Sequence, residues 1–330
     1  MEGAFGSPNA GRPRTSEDGD DPRCGGQPWP RNAGRNHDAH CGVQNHEMRK
    51  TAAMVDPASP IGTSNNATRS TEASREPGAM ASVFANFRQY LMGWGTQSRA
   101  GNTVDRFRSG LATPQFNGVV RVRSVSADEA DVTAVRKEFA NVPWWWWVGP
   151  DSPEDTADVL RCHGGRELTV LPVMVLPLDE PVDPGTVPRT ARTGVRVESV
   201  RDDERLAELV RTYRASMGVD PRLEAEMVRI ESRRADNADI IRLAAVLDGR
   251  VVGTTVVITA HGVAGIFLVH VSEAHRRRGV GAALTATALQ VGRERGMRCA
   301  ALVASPAGEP LYRRFGFTTT SEYRLFAFPA

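Results

Sequence analysis

Residues 275–282 read His275, Arg276, Arg277, Arg278, Gly279, Val280, Gly281 and Ala282, placing three guanidinium groups and two glycines in one short run. An apolar stretch, residues 265–271, comes before it, and a helical pattern opens after it at Ala283 and Leu284. A strand therefore hands a basic turn to the start of a helix. The first amides of a helix lack internal partners and the helix dipole favours negative charge there, so the turn suits a phosphate. Gly279 and Gly281 let the backbone approach a ligand closely, while the arginines supply charge. A tight turn alone would also account for the glycines, and a solvated face for the arginines.

Two further groups close by could move protons. His270 and Glu273 flank the turn in sequence, although His270 equally suits a hydrogen-bonded core position and Glu273 a surface charge. Cys24, His37, His40, Cys41 and His46 could be imagined as zinc ligands. Their spacing matches no zinc pattern and their surroundings are rich in Gly and Pro, so no metal site is expected. The 4 cysteines include no CxxC pair, which fits a reduced, cytoplasmic protein better than a disulfide framework.

The elements that must position these residues follow from the rest of the chain. At 330 residues with 40% hydrophobic content it can hold two domains, or one domain with a degenerate partner and a tail. The net charge of +2 gives no global field for nucleic acid, and the arginine cluster alone does not explain the glycine spacing. The amino terminus has neither a basic start nor an apolar core, so no secretory signal is expected. Residues 251–271 are long and weakly charged, but they are rich in β-branched residues and break at Ala260, His261 and Gly262, as two strands and a turn do; no membrane segment is expected.

Residues 1–79 are rich in Gly, Pro, Ser and Asn and read as a disordered tail. More helix-like sequence begins at Met80. Residues 116–122 read as a turn and strand, 127–139 as a surface helix, 144–150 as a tryptophan-rich strand into a turn, and 152–160 as another helix. Trp144 to Trp147 suit a core or domain interface better than a substrate pocket, because consecutive aromatics alternate between covered faces. Residues 168–178 read as a buried strand broken by Pro172 and Pro177, and 181–193 as a linker. After it come a strand at 195–200, a helix capped by Asp202, a helix at 222–234, three strands at 241–247, 251–258 and 265–271, a helix at 279–296, a strand at 299–304, a short helix at 309–315 and a last strand at 323–328.

This order, with a glycine turn between the third antiparallel strand and its helix, resembles the GCN5-related N-acetyltransferase (GNAT) family. The family pattern Arg/Gln-x-x-Gly-x-Gly/Ala is matched by Arg276, Gly279 and Gly281, and Tyr312, Gly316 and Phe317 are similar to its closing Tyr-x-x-x-Gly-Phe element. Three antiparallel strands ahead of the turn, where a dinucleotide fold has a parallel crossover, argue against the latter. The resemblance spans about residues 195–328. It implies an α+β fold in α/β/α layers around a mixed, mostly antiparallel GNAT sheet. Residues 191–330 would be the acetyltransferase domain and residues 80–190 a degenerate GNAT-like N-terminal region.

The resemblance also implies acetyl-CoA as cosubstrate. Its pyrophosphate would rest on the turn from Arg276 through Arg277, Arg278, Gly279, Val280 and Gly281 to Ala282. Its pantetheine would lie beside Val269, His270 and Val271, where that strand splays from the next, with the backbone of the two valines pairing with its amides. Tyr312 would supply a proton to the departing thiolate. The acceptor would be a small-molecule or protein amine attacking directly in a ternary complex. Family members often carry Asn where Leu268 stands, and a leucine cannot hydrogen-bond an acceptor. That departure, with no evident general base, leaves open a non-catalytic acyl-CoA-binding or regulatory module.

Overall fold

The computed structural model describes residues 77–98, 103–124, 128–179 and 194–328. The tail through residue 76, the cysteine and histidine cluster within it and the whole 181–193 stretch lie outside the described residues. In chain order the first part forms α1 (Pro77–Met92), β1 (Thr96–Ser98), β2 (Val104–Arg108), β3 (Asn117–Val122), α2 (Glu129–Glu138), β4 (Trp145–Val148), α3 (Thr156–Cys162) and β5 (Arg166–Pro177). The second part forms β6 (Arg196–Ser199), α4 (Asp203–Ser216), α5 (Glu224–Ser232), β7 (Ile240–Leu247), β8 (Arg250–Ala260), β9 (Val263–Val271), α6 (Val280–Glu294), β10 (Cys299–Val303), α7 (Glu309–Arg314) and β11 (Thr318–Ala327).

Local chemistry explains the boundaries. Asp202 accepts the Arg205 amide at 2.8 Å and starts α4, and Asp128 does the same for the Asp131 amide at 2.7 Å to start α2. The β7–β8 hairpin turns on Asp248 and Gly249 (φ 49° and 78°) and the β8–β9 hairpin on His261 and Gly262 (φ 59° and 73°). Paired positive φ values are what a two-residue hairpin needs to match strand twist.

All the strands join one eleven-stranded mixed sheet in the order β1-β2-β3-β4-β11-β5-β10-β9-β8-β7-β6. The parallel neighbours are β3 with β4 and β9 with β10, each pair joined through one helix; the other neighbours are antiparallel. The succession β2, β3, α2, β4, α3, β5 is repeated by β8, β9, α6, β10, α7, β11. The last strands of the two repeats are exchanged. β11 pairs with β4 of the first repeat, β5 pairs with β10 of the second, and β5 and β11 lie side by side.

Side chains alternate across the sheet and fill two layers. On one face α1 and α4 cover Trp145, Trp147, Val173, Phe267 and Tyr323; on the other, α6 and α7 cover Leu243, Ala264 and Leu302, and α2 and α3 cover Trp144 and Trp146. The tryptophan run thus serves both covered faces. Pro172 does not break its strand: β5 runs through it, the Pro172 carbonyl accepts from the Ala304 amide at 2.9 Å, and a bulge in β11 between Thr319 and Ser321 absorbs the irregularity nearby. Nor is β5 buried throughout, since Leu168 and Val170 are exposed. The helix expected over 222–234 begins as a 3-10 turn at Pro221–Leu223 and ends at Ser232, and the last strand starts earlier than expected, at Thr318.

Candidate functional site

The strands β9 and β10 pair through Cys299 with Val263, Ala300 with Ala264 and Ala301 with Gly265, and beyond that register they part. From there β9 continues to Val271 paired with β8 alone, while β10 stays with β5. The Ser272 amide donates to the Val252 carbonyl of β8 at 2.9 Å. Alternation then turns the backbone of His270 toward β8 and the backbone groups of Val269 and Val271 toward the gap.

A bulge shapes this edge. The register between β8 and β9 shifts between Thr254 and Val256, and Leu268 takes a left-handed conformation (φ 50°). Two wholly buried threonines pin it, Thr254 donating to the Leu268 carbonyl at 2.8 Å and Thr255 to the Phe267 carbonyl at 3.0 Å. A leucine is strained in this region of φ, whereas Asn or Gly is not.

The basic turn follows the gap. Arg277 (φ 62°) and Gly279 (φ 83°) are both left-handed, which points successive amides into one concavity. Gly279 is the N-cap of α6 and contributes no side-chain cap bond, and the first turn of the helix carries no acidic residue. The amides of residues 277–282 find no acceptor among the described residues. Arg277 and Arg278 are exposed. Arg276 behaves differently, since its Nε donates to the Val271 carbonyl at 3.2 Å and so braces the turn against the strand end. The equivalent helix of the first repeat, α2, has the Asp131 amide of its first turn capped by Asp128 and carries Glu129 and Asp131 in that turn, which disfavours an anion.

Where β9 and β10 part, a cavity of about 180 Å³ opens. The strand edge gives it Phe267, Leu268, Val269 and His270, and β10 with the segment after it gives Val303, Ser305 and Tyr312. His270 is half-buried; its Nδ1 lies 3.1 Å from the Ser216 hydroxyl of α4. Burial first, and then the Arg276 guanidinium, hold its pKa down to about 4, so the ring is neutral at neutral pH. Tyr312 packs edge-on against Phe317, ring centroids 5.9 Å apart, and burial pushes its phenol up, so that it stays protonated. Glu273 is exposed in a 3-10 turn.

The structure therefore brings Val269, His270 and Tyr312 to one cavity and places residues 276–282 as the turn beyond it. It adds residues that the sequence reading left out: Phe87 and Tyr90 of α1, Gln115 and Phe116 before β3, and Met217 after α4. Trp145 and Trp147, read from sequence as core, are buried and also line the cavity. The signal for α1 was present in the helical spacing of Val83, Phe87, Tyr90 and Trp94, all buried.

Comparison with known proteins places this fold. A structure of a GCN5-related N-acetyltransferase from Kribbella flavida is similar with a TM-score of 0.57 at 20% identity, over 77% of this chain and 97% of its own. A functionally unknown conserved protein from Staphylococcus epidermidis is similar with a TM-score of 0.52 at 17% identity, over 71% of this chain and 94% of its own. No curated protein matches the chain. The model of the Acetyltransferase (GNAT) family matches residues 204–317, from α4 through the turn and cavity to Phe317. Residues 204–317 are thus a domain of the GNAT family of acetyltransferases.

Proposed function

We propose that the chain transfers an acetyl group from acetyl-CoA to a primary amine by direct attack in a ternary complex. The observation that carries this reading is the parting of β9 from β10 beyond Gly265, with a turn of unpaired amides at one end of the free edge and a cavity beside it. The residues fit the cosubstrate. Backbone groups of Val269 and Val271 can pair with the pantetheine amides as a neighbouring strand would. The amides of residues 277–282 can receive the pyrophosphate, with Arg277 and Arg278 supplying charge and Arg276 holding the turn in place. In this reading residues 191–330 are the acetyltransferase domain and residues 80–190 a degenerate GNAT-like region that completes the cavity.

The reaction moves one proton from nitrogen to sulfur overall. The neutral amine attacks the thioester carbonyl, the C–S bond breaks, and the amine's proton ends on the thiol of CoA. Tyr312, kept a neutral phenol by burial, can donate a hydrogen bond to the departing sulfur. His270 uses Nδ1 with Ser216, leaving Nε2 for the acceptor; with a pKa of about 4 it is a weak base, so the amine must arrive already neutral or lose its proton to water.

The test is thiol release from acetyl-CoA with a panel of primary amines, together with calorimetry of acetyl-CoA binding. Binding with amine-dependent thiol release is expected. Binding without release on any amine would favour the second reading, a regulatory acyl-CoA-binding module, which the strained leucine at Leu268 and the weak base at His270 keep in view. No binding would overturn both.

A further inference from the structure

The cavity at the parted strands has no Asp, Glu, Lys or Arg in its lining among the described residues. Its polar side-chain atoms come from Gln115, His270, Ser305, the phenols of Tyr90 and Tyr312 and the indoles of Trp145 and Trp147. The rest is apolar and largely aromatic. Nearby buried ions are already paired within the fold: Glu231 with Arg242 at 2.6 Å, and Asp151 with Arg88.

The aromatic wall is held rigid. Tyr90 stacks on Phe267 with centroids 3.9 Å apart and planes 10° from parallel, and the Arg234 guanidinium lies 5.4 Å over the Tyr90 ring. Phe87 meets Trp147 edge-on at 5.3 Å. Such a wall offers flat apolar surface and little adaptability.

From this lining we infer that the acceptor is a small primary amine carrying one aromatic or branched apolar group and no second ionic group. The inference rests on the acetyl-transfer reading and adds the acceptor class to it. An ammonium entering this cavity meets no carboxylate, so burial favours the neutral amine, which is also the nucleophilic form. A second charge, such as the carboxylate of an amino acid or another ammonium of a polyamine, would be buried without a partner. Size agrees in scale, because an apolar cavity of about 150 Å³ takes a benzene ring, and this one of about 180 Å³, shared with the thioester end beside Tyr312, suits an acceptor with no more than one such group.

The full chain is assayed for thiol release from acetyl-CoA with phenethylamine, phenylalanine, spermidine and glucosamine. We expect kcat/KM for phenethylamine to exceed that for each of the others by about 100-fold or more, the scale of a buried group left unpartnered. Phenylalanine or spermidine within about 10-fold of phenethylamine would overturn the inference while leaving acetyl transfer in place. Binding is followed separately by tryptophan fluorescence, since Trp145 and Trp147 line the cavity. Saturable quenching by phenethylamine and not by spermidine is expected even if no amine is turned over; in that case the catalytic reading fails and the cavity's chemistry stands. Neither quenching nor turnover would sink the inference. Gln115→Glu, nearly isosteric, places a carboxylate in the lining and should shift the phenethylamine to spermidine ratio toward spermidine by about 10-fold or more. An unmoved ratio in the folded variant would show that the acceptor does not occupy this cavity.

Discussion

Arg276 donates through Nε to the carbonyl of Val271, 3.2 Å away, and so joins the first residue of the glycine turn to the last residue of β9. The arginine that opens the phosphate motif is therefore a brace as well as a charge. Its neighbours Arg277 and Arg278 are exposed and make no ion pair among the described residues.

That division predicts unequal effects of two substitutions. Arg276→Leu should weaken acetyl-CoA binding by about 10-fold or more, because it loses a charge-assisted hydrogen bond and frees the turn. Arg278→Leu removes one exposed charge, worth no more than about 1 kcal/mol or about fivefold. Calorimetry at fixed ionic strength compares them, and a larger loss for Arg278→Leu would refute the bracing role.

Gly281 separates binding from folding. A methyl group there would meet only the Leu311 side chain at 3.4 Å and Val271 at 3.9 Å, ordinary contacts, and its φ is not left-handed. Gly281→Ala should thus fold as well as the parent or gain up to about 1 kcal/mol from the better helix former. It should also bind acetyl-CoA more weakly, because the added methyl stands between the helix start and the pyrophosphate. Gly279→Ala should lose about 1–2 kcal/mol at φ 83°. Urea unfolding and calorimetry on both variants check the contrast.

His270 predicts a pH dependence of stability. An ordinary histidine titrates near 6.5, whereas burial and Arg276 hold this one down to about 4. Between those values the unfolded chain takes up a proton that the folded chain refuses. Stability therefore falls as the pH drops from about 6.5 to about 4 and loses nothing more from this group below that, a total of at most about 3 kcal/mol. In His270→Asn this component disappears. Unfolding free energies at pH 4.5 and 7 should differ by about 2 kcal/mol less in the variant than in the parent, and an equal difference would show that His270 titrates normally.

How much of this was legible in the sequence depends on range. The hairpins at Asp248 and His261, the Asp202 cap and the strand-turn-helix around Gly279 rest on local rules and stand where the residues indicate. The exchange of β5 and β11 was not legible, because pairing between strands so far apart in sequence leaves no local mark. The cavity was half legible. Alternation put Trp145 and Trp147 on a covered face, but nothing local says that α1 lays Phe87 and Tyr90 across the distant β9 edge.

Leu268 shows a local departure with a structural meaning. Asn tolerates the left-handed conformation that the bulge imposes here at φ 50°. Leu268→Asn should relieve about 1 kcal/mol of strain and lose a similar amount of apolar burial, leaving stability nearly unchanged. Leu268→Val, β-branched and far less tolerant of that φ, should cost about 1–2 kcal/mol. Thermal unfolding that ranks Val at or above Asn would remove the strain argument.

Asn86 tests whether α1 belongs to the site. Its side chain is 1% exposed, and its Nδ2 lies 2.9 Å from the Ile258 carbonyl, 3.1 Å from that of Ala260 and 3.0 Å from that of Val263, so its two N–H groups serve the β8–β9 turn. A Cβ on Gly265 would strike Asn86 Oδ1, so the glycine at the point where β9 and β10 part is shaped to this amide. Asn86→Leu leaves buried carbonyls unpaired and should cost about 1–3 kcal/mol. Because the same helix carries Phe87 and Tyr90, the loss should extend to function: acetyl-CoA binding, held by the distant turn, should persist, while KM for the acceptor rises. Equal losses in both, measured well below the melting temperature of the variant, would mean that α1 supports the whole domain and not the acceptor cavity in particular.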